Sequence, residues 1–65
     1  MGRTRRTFHA NLFAVWDHWV VEVPDASGVH ALVTSVADAE ETARQAIATV
    51  LEVDPRSFTV VVEPA

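Results

Sequence analysis

The three histidines, His9, His18 and His30, are the side chains best suited to proton transfer or metal binding. They lie on separate predicted strands or turns, and none forms a motif with a nucleophile and an orienting carboxylate. The chain has no cysteine and no Cys/His cluster at the spacing of a structural metal site. We therefore predict no catalytic residue, no metal site and no cofactor. If His9 and His30 point to one outer face, metal capture between subunits stays open.

A second group of side chains suits protein contact. Trp16 and Trp19 bracket a predicted turn. We expect at least one of them to pack on the core, whereas an exposed indole would anchor a partner, since Trp is enriched among interface hot spots. Asp17, Glu22 and Asp25 are expected near one hairpin end or on the outer face of the sheet. There they either remain solvated or meet arginines of a partner.

The net charge of −4 is distributed unevenly along the 65 residues. Three arginines lie in the first six residues, so residues 7–65 contain two arginines and nine acidic residues, which gives 2 − 9 = −7. We predict a flexible basic arm at residues 1–6 and a single acidic domain at residues 7–65. The domain should repel nucleic acid and attract basic surfaces, and a weak phosphate contact by the arm is the alternative.

A chain of this length buries only about 60% of its unfolded surface, so its stability is marginal. Oligomerisation or a partner is the expected additional source of stability, because there is no disulfide or structural metal. No apolar run approaches the roughly 20 residues that span a bilayer, and no signal-peptide pattern follows the arginines. We therefore expect a cytoplasmic protein.

The elements that position these residues follow from hydrophobic periodicity. Apolar residues at steps of three and four predict one amphipathic helix at 35–53, which ends at Asp54-Pro55. Alternation predicts strands at 7–15, 19–23, 29–35 and 58–63. Short turns make the first three strands antiparallel, and a right-handed crossover lays the fourth parallel to the first. The prediction is an α+β fold with a four-stranded mixed sheet of order 3-2-1-4 and one helix on one face.

One helix leaves the other face of this sheet thinly covered. The same alternation places five apolar side chains there, more than open water favours, and such a patch usually marks an interface. We expect a homo-oligomer, a dimer or tetramer, in which two sheets pack or two third strands join edge to edge. The predicted interface side chains are Phe13, Val15, Val20, Leu32 and Val61.

Four stretches resemble the HicB-like antitoxins of type II toxin–antitoxin systems, in particular their short actinobacterial members. They are HWVVEVPD at 18–25, the following Gly28, EETARQAI at 40–47 and LEVDPRSFTV at 51–60. The resemblance covers about residues 7–63. The chain departs from the family at 16–18, where most relatives place Gly with Asp or Asn, and at Val29, where Cys or Leu is usual.

The resemblance implies a partial RNase H-like β-β-β-α-β fold and a protein that binds and blocks a small basic RNA-cleaving toxin, HicA. Typical members also have a C-terminal DNA-binding domain. The chain stops at Ala65 without one, which argues against DNA binding by the chain as it stands. An RNase H-like fold raises the question of nuclease activity, but the first strand offers His9 and Asn11 where a metal-binding Asp would lie, so we predict no enzyme activity. The alternative function is a stand-alone homo-oligomeric scaffold or ligand-binding domain without a toxin.

Overall fold

The computed structural model describes residues 6–65. Residues 1–5 of the predicted basic arm lie outside the described residues, whereas Arg6 belongs to the first strand. A short 3-10 turn at Val36–Asp38 leads into the helix. The elements are β1 (Arg6–Val15), β2 (His18–Val23), β3 (Val29–Val33), α1 (Ala39–Leu51) and β4 (Phe58–Pro64).

The four strands form one mixed sheet in the order β3-β2-β1-β4. β2 is antiparallel to both β1 and β3, and β4 is parallel to β1 after the crossover through α1. This confirms the predicted α+β fold, including the strand order and the single helix. The helix packs on one face, and the side chains on the other face of the sheet are free of it.

The helix begins four residues later than the sequence pattern predicted. The Ser35 hydroxyl accepts a hydrogen bond from the Ala37 N–H at 3.2 Å, so Ser35 caps the 3-10 turn. Asp38 then precedes the helix without a side-chain cap. At the other end Glu52 adopts a left-handed conformation with φ 57°, and the Val53 N–H donates to the Ala48 carbonyl. This closes the helix before Asp54-Pro55, as predicted.

The core lies between α1 and the sheet and follows the predicted alternation. Phe8 and Phe58 meet edge to face, with ring centroids 5.3 Å apart. Ile47 is fully buried on the sheet-facing side of α1, and small alanines occupy its neighbouring turns. The remaining buried side chains are Ala10, Leu12, Val21, Val23, Ala26, Val33, Ala39, Ala43, Ala48 and Val60.

Arg44 joins the helix to the start of β4. Its Nη1 donates to the carbonyls of Pro55 and Phe58, both at 2.8 Å, and its Nη2 donates to Glu40 at 3.2 Å. The guanidinium also lies over the Phe58 ring, 5.5 Å from its centroid. The half-buried charge is therefore satisfied by two main-chain acceptors in a tight connector.

The connector itself is closed by Asp54. Its carboxylate accepts the Arg56 backbone N–H at 2.8 Å and lies 3.5 Å from the Arg56 Nε. These contacts lower the pKa of Asp54, mainly through the backbone hydrogen bond and then through the side-chain one. Asp54 thus favours its charged form at the turn that returns the chain to β4.

Candidate protein-interaction surface

Three apolar side chains line up across the sheet on the face away from α1. Phe13 of β1 is directly opposite Val20 of β2, and Val20 is directly opposite Leu32 of β3. Side chains paired in this way lie about 4.5–5.5 Å apart at their Cβ atoms. Phe13 is 38% exposed and Leu32 is 68% exposed. We call these three residues the apolar row, and Val15, also exposed, extends it along β1 toward the hairpin turn.

Val61 lies on the same face but apart from the apolar row. Its register partner is His9, which is four residues before Phe13 on β1. At about 3.3 Å per residue this separates Val61 from the row by roughly 13 Å. The sequence pattern assigned Val61 to the correct face, but the parallel pairing of β4 with the start of β1 puts it at the other end of the sheet.

A polar row runs beside the apolar row. Asn11 is opposite Glu22 on one side and Glu63 on the other, and Glu22 is opposite His30. His9 also joins this part of the face, with its Nδ1 3.6 Å from the Glu63 carboxylate and both side chains exposed. The outer face therefore has an apolar part and a polar part, and the polar part contains the carboxylates of Glu22 and Glu63.

The arginines of the described residues lie elsewhere. Arg6 stacks on the helix-side ring of Phe8, 4.5 Å from the centroid. Arg44 is held between α1 and β4, and Arg56 pairs with Asp54 in the connector. Within residues 6–65 the outer face consequently has carboxylates and histidines but no arginine to neutralise them.

The two tryptophans lie in opposite environments. Trp16 is 98% exposed at the tip of the β1–β2 hairpin. Trp19 lies on the same side of β2 as Val21 and Val23, which faces the helix, and it packs against the core. One tryptophan thus packs on the core, as the sequence predicted. Trp19 does not belong to the outer surface, and its assignment there as a contact residue is not supported by the geometry.

The hairpin turn consists of Trp16 and Asp17 alone, because Val15 pairs with His18. Trp16 has φ 56°, a left-handed conformation that favours glycine, and no positive φ occurs at Asp17. The turn therefore holds a large side chain in solvent at a strained backbone position.

The three acidic residues predicted to contact a partner are not clustered. Asp17 is at the hairpin tip, 3.3 Å from His18. Glu22 lies in the polar row, and Asp25 lies in the β2–β3 turn at the other end of β2. That turn ends at Gly28, which has a positive φ of 68°. Only Glu22 directly adjoins the apolar row.

The histidines do not converge. His9 and His30 share the outer face, but β2 separates their strands. His30 Nδ1 donates to the Gly28 carbonyl at 2.8 Å. In the part of the chain that the structure describes, no group of three or more His, Asp or Glu side chains is placed to hold a metal ion. Over the same residues no helix has the length and apolar character needed to cross a membrane.

Comparisons of the chain with protein-family models, curated proteins and solved structures gave no match. The resemblance to HicB-like antitoxins therefore stays a prediction from the quoted motifs. The surface described above depends on the strand register and on exposure, and it does not depend on that resemblance.

Proposed function

We propose that this protein is a non-catalytic binding protein that acts through the outer face of its sheet. In its specific form, the proposal is an antitoxin that neutralises a small basic ribonuclease, similar to HicA, by covering the ribonuclease's active face. The proposal places the protein in the cytoplasm and involves neither membrane nor DNA contact. The observation that carries it is the uncovered apolar row of Phe13, Val20 and Leu32 beside a polar row that contains Glu22 and Glu63.

The apolar row supplies the energy of contact. Complete burial of a Val, Leu or Phe side chain stabilises by about 1.5–3 kcal/mol. Phe13 and Leu32 are 38% and 68% exposed, so covering them contributes roughly 1 kcal/mol each. Trp16 adds an indole that is available to a pocket on a partner. The row alone is too small for tight binding, so a partner must also use the flanking polar groups.

Charge favours a basic partner over an acidic one. Residues 6–65 contain three arginines and nine acidic residues, which gives 3 − 9 = −6. The arginines lie off the outer face, whereas Glu22 and Glu63 lie on it, so a basic surface meets complementary charge there. Such complementarity raises association rates and makes binding sensitive to salt.

The alternative is a stand-alone homo-oligomeric scaffold or ligand-binding domain without a toxin. The free edge of β3 favours the homo-oligomer. A scaffold of this kind would bind no ribonuclease and would leave RNA cleavage unchanged.

An RNA-cleavage assay with a HicA-like ribonuclease tests the proposal. The full chain is expected to stop cleavage near equimolar ratio. Phe13→Lys, which puts a positive charge at the β1 end of the apolar row, should raise the inhibitory concentration at least tenfold. The matched control is Val53→Lys, which makes the same change in charge at an exposed valine after the helix. Undiminished cleavage with the unchanged chain, or equal effects of both variants, would refute the proposed surface.

A further inference from the structure

The two edge strands of the sheet, β3 and β4, differ in how well they are protected against pairing with a strand of another chain. Natural edge strands usually carry charges, proline or bulges that prevent pairing with another chain. β4 has Glu63 and Pro64, and Arg44 occupies the Phe58 carbonyl at its start. β3 reads Val-His-Ala-Leu-Val, without Asp, Glu, Lys, Arg or Pro, and its register with β2 is continuous. The edge of β3 is therefore open to another strand.

We propose that β3 pairs with β3 of a second copy, antiparallel, about a two-fold axis at Ala31. This register pairs all five residues of the strand, with Val29 opposite Val33 and His30 opposite Leu32 of the copy. A two-fold axis at any other residue leaves at least two of the five unpaired. The result is one continuous eight-stranded sheet with an isologous interface.

The outer face is compatible with this pairing. Leu32, which is 68% exposed, packs against the imidazole of His30 from the copy. Leu32 ends the apolar row of one copy, and His30 of the other copy is paired with Glu22 of its own polar row. The apolar row of one copy is therefore followed across the two-fold axis by the polar row of the other. No carboxylate meets a carboxylate across the two-fold axis on this face.

Two grooves flank the β3 edge on the helix side. α1 runs antiparallel to β3, so the end of the helix borders one groove and its start borders the other. The first groove, about 540 Å³, is lined by Val29, Ala46, Thr49 and Val50 and carries no acidic or basic side chain beyond His30. The second groove, about 310 Å³, is lined by residues that include Leu32, Val33, Asp38 and Glu41.

The two-fold axis places the first groove of one copy beside the second groove of the other copy. A second copy of the chain is therefore the occupant that both grooves fit. The uncharged end of one α1, at Val50, lies beside the acidic start of the other, at Asp38 and Glu41. Two copies of a chain with net charge −4 repel each other, and among the residues that line the grooves this arrangement places no carboxylate of one copy against a carboxylate of the other. A small domain without disulfides also gains the additional burial that its size requires.

Cross-linking tests the register. The chain has no cysteine, so Ala31→Cys introduces a single thiol. Residues directly opposite in an antiparallel pair have Cα atoms about 4.5–5.5 Å apart, within the range of a disulfide. Mild oxidation should convert the variant into a covalent dimer. Ala37→Cys, at an exposed position before the helix, should remain largely monomeric on a denaturing gel. Equal cross-linking of both variants, or none at Ala31, would overturn the register.

Sedimentation velocity of the full chain tests the interface. The wild-type protein should sediment as a dimer at micromolar concentration. Val50→Glu adds a negative charge beside Asp38 and Glu41 of the copy and should raise the dimer dissociation constant at least tenfold. Val50→Lys should leave it unchanged or lower it. A monomer at all concentrations, or weakening by both variants alike, would refute the pairing.

The edge and the outer face are tested independently. Phe13→Lys lies on β1, away from the two-fold axis, and should leave the dimer intact while it impairs ribonuclease binding. Val50→Glu should do the reverse. A wild-type chain that stays monomeric yet inhibits the ribonuclease would refute only the edge pairing, whereas a stable wild-type dimer without inhibition would refute only the proposed function.

Discussion

Replacing Trp16 with glycine should stabilise the fold and weaken partner binding. Trp16 is 98% exposed and has φ 56°. Its indole has no packing to lose in the free protein, and its backbone adopts the left-handed conformation that L-residues with a Cβ disfavour. A substitution that improves stability but harms activity separates a contact residue from a structural one.

The magnitude follows from two opposing terms. Relief of the left-handed conformation contributes about 1–2 kcal/mol. The greater freedom of glycine in the unfolded chain costs about 0.5–1 kcal/mol. The net stabilisation is about 0.5–1 kcal/mol, which for a domain of this size raises Tm by roughly 2–8 °C.

Urea and thermal unfolding followed by far-UV circular dichroism measure this change. Trp16→Ala is the matched control, because it removes the indole but keeps the Cβ and therefore the backbone strain. Its stability should lie within about 0.5 kcal/mol of the wild type. Both variants should inhibit the ribonuclease less well if the indole contacts it. A Trp16→Gly protein no more stable than Trp16→Ala would refute the argument from strain.

Three further predictions concern the helix and the connector, and urea unfolding measures each. Arg44→Met should destabilise by about 2–3 kcal/mol through two lost charge-assisted hydrogen bonds, whereas Glu40→Gln, at an exposed partner, should cost less than about 0.5 kcal/mol. Ile47→Ala should abolish the cooperative transition, because its cost of about 2–5 kcal/mol approaches the total stability of so small a domain. The lowered pKa of Asp54 gives stability that is present above its unfolded value of 3.8 and lost as pH falls through the folded value. Asp54→Asn should therefore be less stable at neutral pH and less sensitive to acid.

The strand order was predictable because alternation and turn residues agree along the chain. Three strands joined by short turns and one crossover helix leave few topologies once right-handedness is imposed. The core side chains, such as Phe8, Leu12 and Val21, followed from the same alternation. The outer-face assignment of Phe13, Val20 and Leu32 was correct for the same reason, since the alternation within each strand separates its core side from its outer side.

The register itself required the structure. Alternation predicts a strand from Trp19, and the residues before it contain neither Asn-Gly nor Asp-Gly, so they do not identify a turn type. The turn proved to have two residues, and a slip of one residue would have reversed which side chains share a row. The separation of Val61 from the apolar row also depends on register. The role of Arg44 in joining the helix to β4 could not be predicted from the sequence. Its hydrogen-bond acceptors are main-chain carbonyls, which every residue has, so no pattern of side chains indicates them.

The two proposed surfaces together define a stoichiometry. A two-fold axis at the β3 edge joins both sheets side by side, with only Leu32 of each apolar row in contact with the other copy, so each copy keeps one partner site. Two sites on one rigid sheet give a 2:2 assembly with a monomeric ribonuclease. A ribonuclease that is itself dimeric would engage both sites at a raised effective concentration. Dissociating the dimer with Val50→Glu should then leave the affinity per site unchanged for a monomeric partner and weaken overall binding only for a dimeric one.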